Sequence, residues 1–166
     1  MSTPATSRQH PHLLGAALVL ALVAAGAVAA AMAWLGVRAD ADPAAQQEAL
    51  REARSRVPLL LSYDVATLDD DLDRAIDQTT GEFRDDYAEI LDKSVRKLAA
   101  KRGISTVAEV VGAGVVDGDE DRVTVLVLVN QTATGRSGEP VVLGSRIEVE
   151  MVPDGDTWRI AGYTPL

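Results

Sequence analysis

The sequence contains no cysteine, so a disulfide framework and a thiolate metal site are both excluded. Its only histidines are His10 and His12, so nothing after residue 12 can supply one. A Ser-His-Asp triad and a His-rich zinc site are thereby excluded from the rest of the chain. Positive charge is also scarce: 16 Lys and Arg stand against 25 Asp and Glu, a formal net charge of −9. A nucleic-acid binder would show a basic patch or stripe, so no nucleic-acid partner is expected. Charge of either sign is missing from Leu13 to Val37, and every acidic residue follows that run. Arg38–Leu166 therefore holds 15 basic and 25 acidic side chains, a net −10. With 166 residues in all, there is material for one domain beyond the apolar run.

The run of residues 13–37 is Ala-, Leu- and Val-rich and exceeds the roughly 20 residues a helix needs to cross a bilayer. Trp34 near its end suits the membrane interface. Ala31-Met32-Ala33 resembles a signal-peptide cleavage site, but the run is longer than the usual h-region of about 7–15 residues, so an uncleaved anchor is expected. Arg8 precedes the span, while Arg38 follows it with Asp40 and Asp42 close by. The expected topology is a single pass, with residues 1–12 a cytoplasmic tail and the C-terminal part extracytoplasmic. Residues 13–37 would contact the lipid bilayer. Residues 38–62 are expected as a stalk and first helix, and residues 63–166 as an α+β extracytoplasmic domain.

Asp42-Pro43 is a helix start, Asp as cap and Pro at the first helical position. The helix should run to about Ser62, be polar to Arg56, be interrupted or kinked at Pro58, and dock through Val57, Leu59, Leu60 and Leu61. Thr67–Gln78 reads as a short helix, with Asp69, Asp70 and Asp71 in a first turn that favours negative charge and Leu68, Leu72 and Ile76 as an apolar stripe. Glu82–Arg102 reads as a third, with Phe83, Tyr87, Ile90, Leu91 and Leu98 on one face and Val95 beside them. The period then changes to two. Strands are expected over Ser105–Val116, with a bulge at Gly112 or Gly114, and over Arg122–Thr132, buried on both faces. Two more follow over Val142–Val152 and Thr157–Tyr163, joined by the hairpin signal Asp154-Gly155. In the third strand Ile147, Val149 and Met151 should be buried, with Arg146, Glu148 and Glu150 on the opposite face. Helices followed by four meandering antiparallel strands make an α+β domain with a curved sheet.

Candidate chemistry is sparse. Asp69, Asp70, Asp71 and Asp73 lack the spacing of a calcium loop and are explained by the helix dipole. Asp64, Asp77, Glu109 and Glu150 are the acids nearest apolar elements, where burial could raise a general base's pKa, yet nothing singles one out. Tyr63, Phe83, Tyr87 and Trp158 could line a lipid pocket or simply form core. Asn130-Gln131-Thr132 matches a glycosylation sequon and is equally explained by strand and turn bonding. Lys93, Arg96, Lys97, Lys101 and Arg102 read as the solvated face of one helix. No catalytic, cofactor-binding or metal-binding residue is assigned, and no cofactor is expected.

Three stretches carry a family resemblance: Leu60-Leu61-Ser62-Tyr63-Asp64 running through Thr67-Leu68-Asp69 to Thr80-Gly81-Glu82-Phe83-Arg84-Asp85-Asp86-Tyr87, then Val125–Thr132, then Trp158-Arg159-Ile160 with Tyr163-Thr164-Pro165-Leu166. With the anchor they resemble the actinobacterial Mce-associated membrane proteins, partners of the Mce (mammalian cell entry) lipid-import systems. The resemblance implies a nuclear transport factor 2-like (cystatin-like) domain, akin to the periplasmic domain of type IV secretion assembly proteins. It also implies a non-enzymatic accessory role in fatty acid or sterol import at the cell membrane, with Mce transporter subunits or other envelope proteins as partners. Self-association stays open. Two alternatives share the fold: a scaffold component of a secretion apparatus, and an anchored cone-fold isomerase or dehydratase.

Overall fold

A computed structural model describes residues 42–136 and 138–166. The expected tail and span at 1–37 lie outside the described residues, and no helix among the described residues is long and apolar enough to cross a membrane.

Helix α1 spans Pro43–Leu61, and Asp42 Oδ1 accepts the Ala44 N–H at 2.8 Å, the cap expected from Asp-Pro. The helix continues through Pro58 without a break. Only three helical residues follow the proline, and Val57 and Leu60 on either side of it are packed in the core. Ala49, Ala53, Val57 and Leu60 form a fully buried stripe against the sheet. From Pro43 onward this segment is thus part of the domain core rather than a free stalk. Each buried Val or Leu contributes roughly 1.5–3 kcal/mol relative to exposure.

Helix α2 (Leu68–Ile76) carries Asp69, Asp70 and Asp71 in its first turn and buries Leu68, Leu72 and Ala75. The expected third helix is three pieces: α3 (Gly81–Ile90), a π-helical turn (Leu91–Val95) and α4 (Arg96–Arg102). The π turn resets the buried face. Leu91 and Ala99 are buried, whereas Ile90 and Leu98, expected inside, are 53% and 47% exposed. Gly103 at φ 63° closes α4 with its N–H donating to Ala99.

Strands β1 (Ser105–Gly118), β2 (Val123–Thr134), β3 (Pro140–Asp154) and β4 (Thr157–Pro165) form an antiparallel meander in sequence order. The β1–β2 register shifts between Val110 and Gly112, and again between Val115 and Asp117, and such bulges bend a strand. Ile147, Val149 and Met151 are completely buried, as their alternation predicts. Arg146 opposite them is exposed, while Glu148 and Glu150 are half-buried. β2 is internal to the sheet but buries only one face: Val123, Val125, Val127 and Val129 point into the core, while Leu126 is half-buried and Leu128 exposed. Among the described residues, the helices cover one side of the sheet, and Leu128 on β2's other side is exposed.

Candidate functional site

Both sheet edges are closed by short segments between helices. Tyr63 and Thr106 exchange backbone hydrogen bonds of 2.9 and 2.8 Å, Ser62 Oγ accepts the Ala108 N–H at 2.9 Å, and Ser105 Oγ accepts the Val65 N–H at 3.0 Å. At the other edge the Ile160 N–H donates to Gln78 O (3.0 Å) and the Thr80 N–H to Ile160 O (2.9 Å). These contacts give Ser62, Tyr63 and Thr80, all in the first of the stretches singled out in the sequence, a definite structural task.

The first edge contact places Tyr63 at the mouth of a pocket of about 240 Å³ between the helices and the sheet. Its floor is Leu60, Leu72 and Leu91, all buried. Its rim holds Tyr63, Gln131 and Tyr163, all half-buried, with the exposed Ile90. The π turn contributes Leu91 and Val95 to the wall. The Tyr87 hydroxyl donates to Leu60 O at 2.7 Å, tying α3 to the end of α1, and its ring stacks on Phe83 at a centroid distance of 5.5 Å. Burial pushes the Tyr87 phenol well above its ordinary pKa, and the neighbouring Tyr163 and Tyr63 add to the shift. Burial also raises Tyr163. Of the four aromatic residues proposed from the sequence, Tyr63 and Tyr87 line the pocket; Trp158 is core, and Phe83 packs against it. Tyr163, Gln131, Leu91 and Val95 were not singled out as pocket residues. Gln131 had a legible signal: it alternates with Asn130 on β2, so the two must face opposite sides of the sheet.

The acids do not converge on this pocket. Asp64 is exposed and its Oδ1 accepts the Ala66 N–H at 2.8 Å. Asp77 is exposed and pairs with Arg84 at 2.9 Å. Glu109 is exposed on β1, and Glu150 pairs with Arg122. Asp71 differs from its neighbours: its Oδ2 accepts the Asp64 N–H (2.9 Å) and the Thr67 hydroxyl (2.8 Å), and its Oδ1 accepts from Arg74 (2.6 Å). The Asp64 backbone bond, aided by Thr67 and Arg74, holds its pKa below the usual carboxylate value despite burial. That carboxylate locks the α1–α2 turn. Asp69 pairs with Arg96, and Asp70 and Asp73 are exposed. Among the described residues no group of three or more acidic side chains is arranged to hold a metal ion. Lys93 and Arg96 make ion pairs on the solvated helix face, where Lys97, Lys101 and Arg102 are exposed.

Among the described residues, the sheet's outer side carries several exposed apolar side chains. Leu128 is opposite Gly112 on one neighbour and Arg146 on the other, and Leu128, Val111, Arg146 and Leu166 border a shallow depression of about 420 Å³. Further along, Val107, Thr132 and Val142 form a row across three strands. Val107 is 65% and Val142 62% exposed, while Val141 and Leu143, exposed as well, alternate with Val142 and belong to the opposite face. Asn130 of the sequon lies exposed on this outer side.

A family model described as "Uncharacterized protein Rv1363c/MT1408-like" matches residues 11–151. The chain is 34% identical over 122 residues to "Outer membrane protein Rv1973" of Mycobacterium tuberculosis, which covers 74% of this chain and 76% of that protein. Among solved structures, a periplasmic fragment of TraM superposes with a TM-score of 0.60 at 12% identity, covering 72% of this chain and 96% of that one. An IcmL-like type IV secretion system protein from Legionella pneumophila also superposes at 0.60, with 8% identity, covering 70% of this chain and 90% of that one. These likenesses show the fold: an α+β domain, helices first and then a curved four-stranded antiparallel sheet.

Proposed function

This chain belongs to the Rv1363c/MT1408-like family, and on that premise we propose that it is a membrane-anchored, non-enzymatic scaffold of a multiprotein assembly in the cell envelope. The observation that carries the reading is the bare outer side of the sheet. Val107, Leu128, Val142 and Leu166 are all between 38% and 65% exposed. Contiguous exposed apolar surface marks interaction sites in folded proteins. The carboxylates considered as bases are meanwhile spread over separate loops and strands: Asp64, Asp77 and Glu150 make ordinary structural contacts, and Glu109 is exposed on β1. The fold shared with TraM and with a type IV secretion protein supports a scaffold in a secretion-type assembly. Residues 13–37 are proposed as the single-pass anchor, with residues 1–12 cytoplasmic and 38–166 extracytoplasmic. Tethering of this kind raises the effective concentration of a weak contact.

A finer reading makes the assembly an Mce-type lipid importer. It rests on the resemblance of Ser62-Tyr63-Asp64, Val125–Thr132 and the C-terminal stretch, and the name of the M. tuberculosis relative speaks of an outer membrane protein instead. One experiment tests both readings. A photoreactive amino acid is placed at Leu128 or Val142 in the full chain, with Glu82 on a helix as control, and adducts from intact cells are identified by mass spectrometry. Adducts with secretion or importer subunits, formed from the sheet positions and not from Glu82, are expected. The class of subunit captured decides between the two assemblies. Equal, unspecific adducts from all three positions would sink the scaffold reading.

A further inference from the structure

The pocket at the mouth of the helix–sheet cone holds hydrogen-bonding groups that the protein itself does not use. Tyr87 commits its hydroxyl to Leu60 O. The Tyr63 and Tyr163 hydroxyls and the Gln131 amide line the same pocket with no hydrogen-bond partner among the described residues. Their arrangement is graded in depth: Leu60, Leu72 and Leu91 below, the half-buried polar rim above. A π turn forms part of the wall, and such turns occur frequently at functional sites because they give up regular helix bonding. No charged side chain lines the pocket.

We infer that this pocket binds a small neutral amphiphile, with its apolar end on the leucine floor and one uncharged hydrogen-bonding head at the polar rim that Gln131 helps to form. Charge is unsuited to the site. A carboxylate or phosphate head would lose water and meet no cation, and an ammonium head would meet no carboxylate. Size narrows the class. At about 240 Å³ the pocket falls below the roughly 300–1,000 Å³ typical of drug-sized ligands, so it accepts one short chain or the end of a longer one. A rim amide that can both donate and accept suits an alcohol or an amide head. The inference goes beyond the scaffold reading and does not depend on it, because the pocket opens between helices and sheet while the bare apolar area lies on the sheet's other side.

The test uses the full chain in zwitterionic nanodiscs and a decanol carrying a diazirine near its alkyl end. After photolysis, peptide mapping locates the label. Saturable labelling around Leu60–Tyr63, Tyr87–Val95 or Tyr163 is expected, reduced at least tenfold by excess decanol and unaffected by excess decanoate. Val95→Trp, which fills the wall, should abolish that labelling while leaving any label on residues 13–37 unchanged. Ile90→Trp at the exposed rim provides a second blocking variant should Val95→Trp fail to fold. Gln131→Leu should weaken capture of the alcohol roughly 3–10-fold, the value of one hydrogen bond, and spare a hydrocarbon probe of equal length. Label scattered in proportion to exposure, no label at the pocket, competition by decanoate equal to that by decanol, or labelling unchanged in a folded blocking variant would each overturn the proposal.

Discussion

Asp71 Oδ2 accepts the backbone N–H of Asp64 at 2.9 Å, so a carboxylate in the first turn of α2 holds the segment that leads out of α1. The same oxygen receives the Thr67 hydroxyl at 2.8 Å, and Arg74 donates to the other. These bonds favour the charged form, and the folded-state pKa lies below the ordinary carboxylate value of 3.8. A depressed carboxylate pKa stabilises the fold above the unfolded value, and that stabilisation is lost as pH falls through the folded value. Asp71→Asn should therefore cost about 1–2 kcal/mol at neutral pH, with the gap to wild type closing below pH 3.8. Urea unfolding of the fragment 42–166 at several pH values checks this. Trp158 is the fragment's only tryptophan and is 6% exposed, so its fluorescence reports the core. A gap that stayed constant down to the acid limb would show that the charge is immaterial.

Arg56 joins three elements. Its guanidinium reaches Glu52 on the preceding turn of α1, Gln78 Oε1 at 3.0 Å after α2, and Thr157 Oγ1 at 2.7 Å on β4. Its side chain is 16% exposed, so little water is at hand to replace those bonds. Arg56→Ala should cost about 2–3 kcal/mol, because it leaves Glu52 and two neutral partners under-satisfied. Arg56→Lys should recover only part of that loss, since a single ammonium cannot span the three acceptors. A Lys variant as stable as wild type would mean that charge alone matters here.

The register between β2 and β3 sets two neighbouring residues to opposite fates. Ile147 pairs with Val127 and is completely buried; Arg146 pairs with Leu128 on the outer side and is exposed. Ile147→Ala should cost about 2–5 kcal/mol. Arg146→Ala should stay within about 0.5 kcal/mol, as surface substitutions away from special features do. The same urea titration separates them, and comparable losses for both would place the register one residue out.

Much of this architecture is legible in the sequence, and where it is not the reasons are physical. Ile147, Val149 and Met151 alternate with charged residues, so the pleat alone assigns their face. β2 alternates nothing: Val125-Leu126-Val127-Leu128-Val129 is apolar throughout. Such a run reads as buried on both sides, and only the helices' confinement to one side of the sheet shows that Leu128 is bare. The π turn at Leu91–Val95 has no composition of its own, so the burial of Ala99 in place of Leu98, and of Leu91 without Ile90, escapes a 3.6-residue pattern. The pocket is the least legible feature. Leu60, Tyr87, Gln131 and Tyr163 meet through the edge closure at Tyr63 and the curvature of the sheet, which are long-range events.

Tyr87 supplies the last prediction, and it turns on alkaline rather than acid pH. The hydroxyl donates to Leu60 O at 2.7 Å, and burial keeps the phenol protonated well past the ordinary value of 10.0. At neutral pH Tyr87→Phe removes that bond and leaves the carbonyl facing an apolar pocket, a loss of about 0.5–1.5 kcal/mol. Above pH 10 the balance changes. The unfolded chain ionises its tyrosine freely, whereas the folded protein cannot, so the wild type loses the stability associated with the raised pKa as pH rises through and beyond 10.0. Phe at this position titrates in neither state. The deficit of Tyr87→Phe should shrink by up to about 1.4 kcal/mol for each pH unit above 10, the value of one pKa unit, and its sign should reverse near pH 11. Every other tyrosine is common to both proteins and largely cancels from the comparison. Urea midpoints of the fragment 42–166 at pH 8, 10 and 11, followed by Trp158 fluorescence, give the difference directly. A deficit that did not change with pH would mean that Tyr87 ionises as readily in the folded protein as in the unfolded chain, and that the pocket wall around it is open to water.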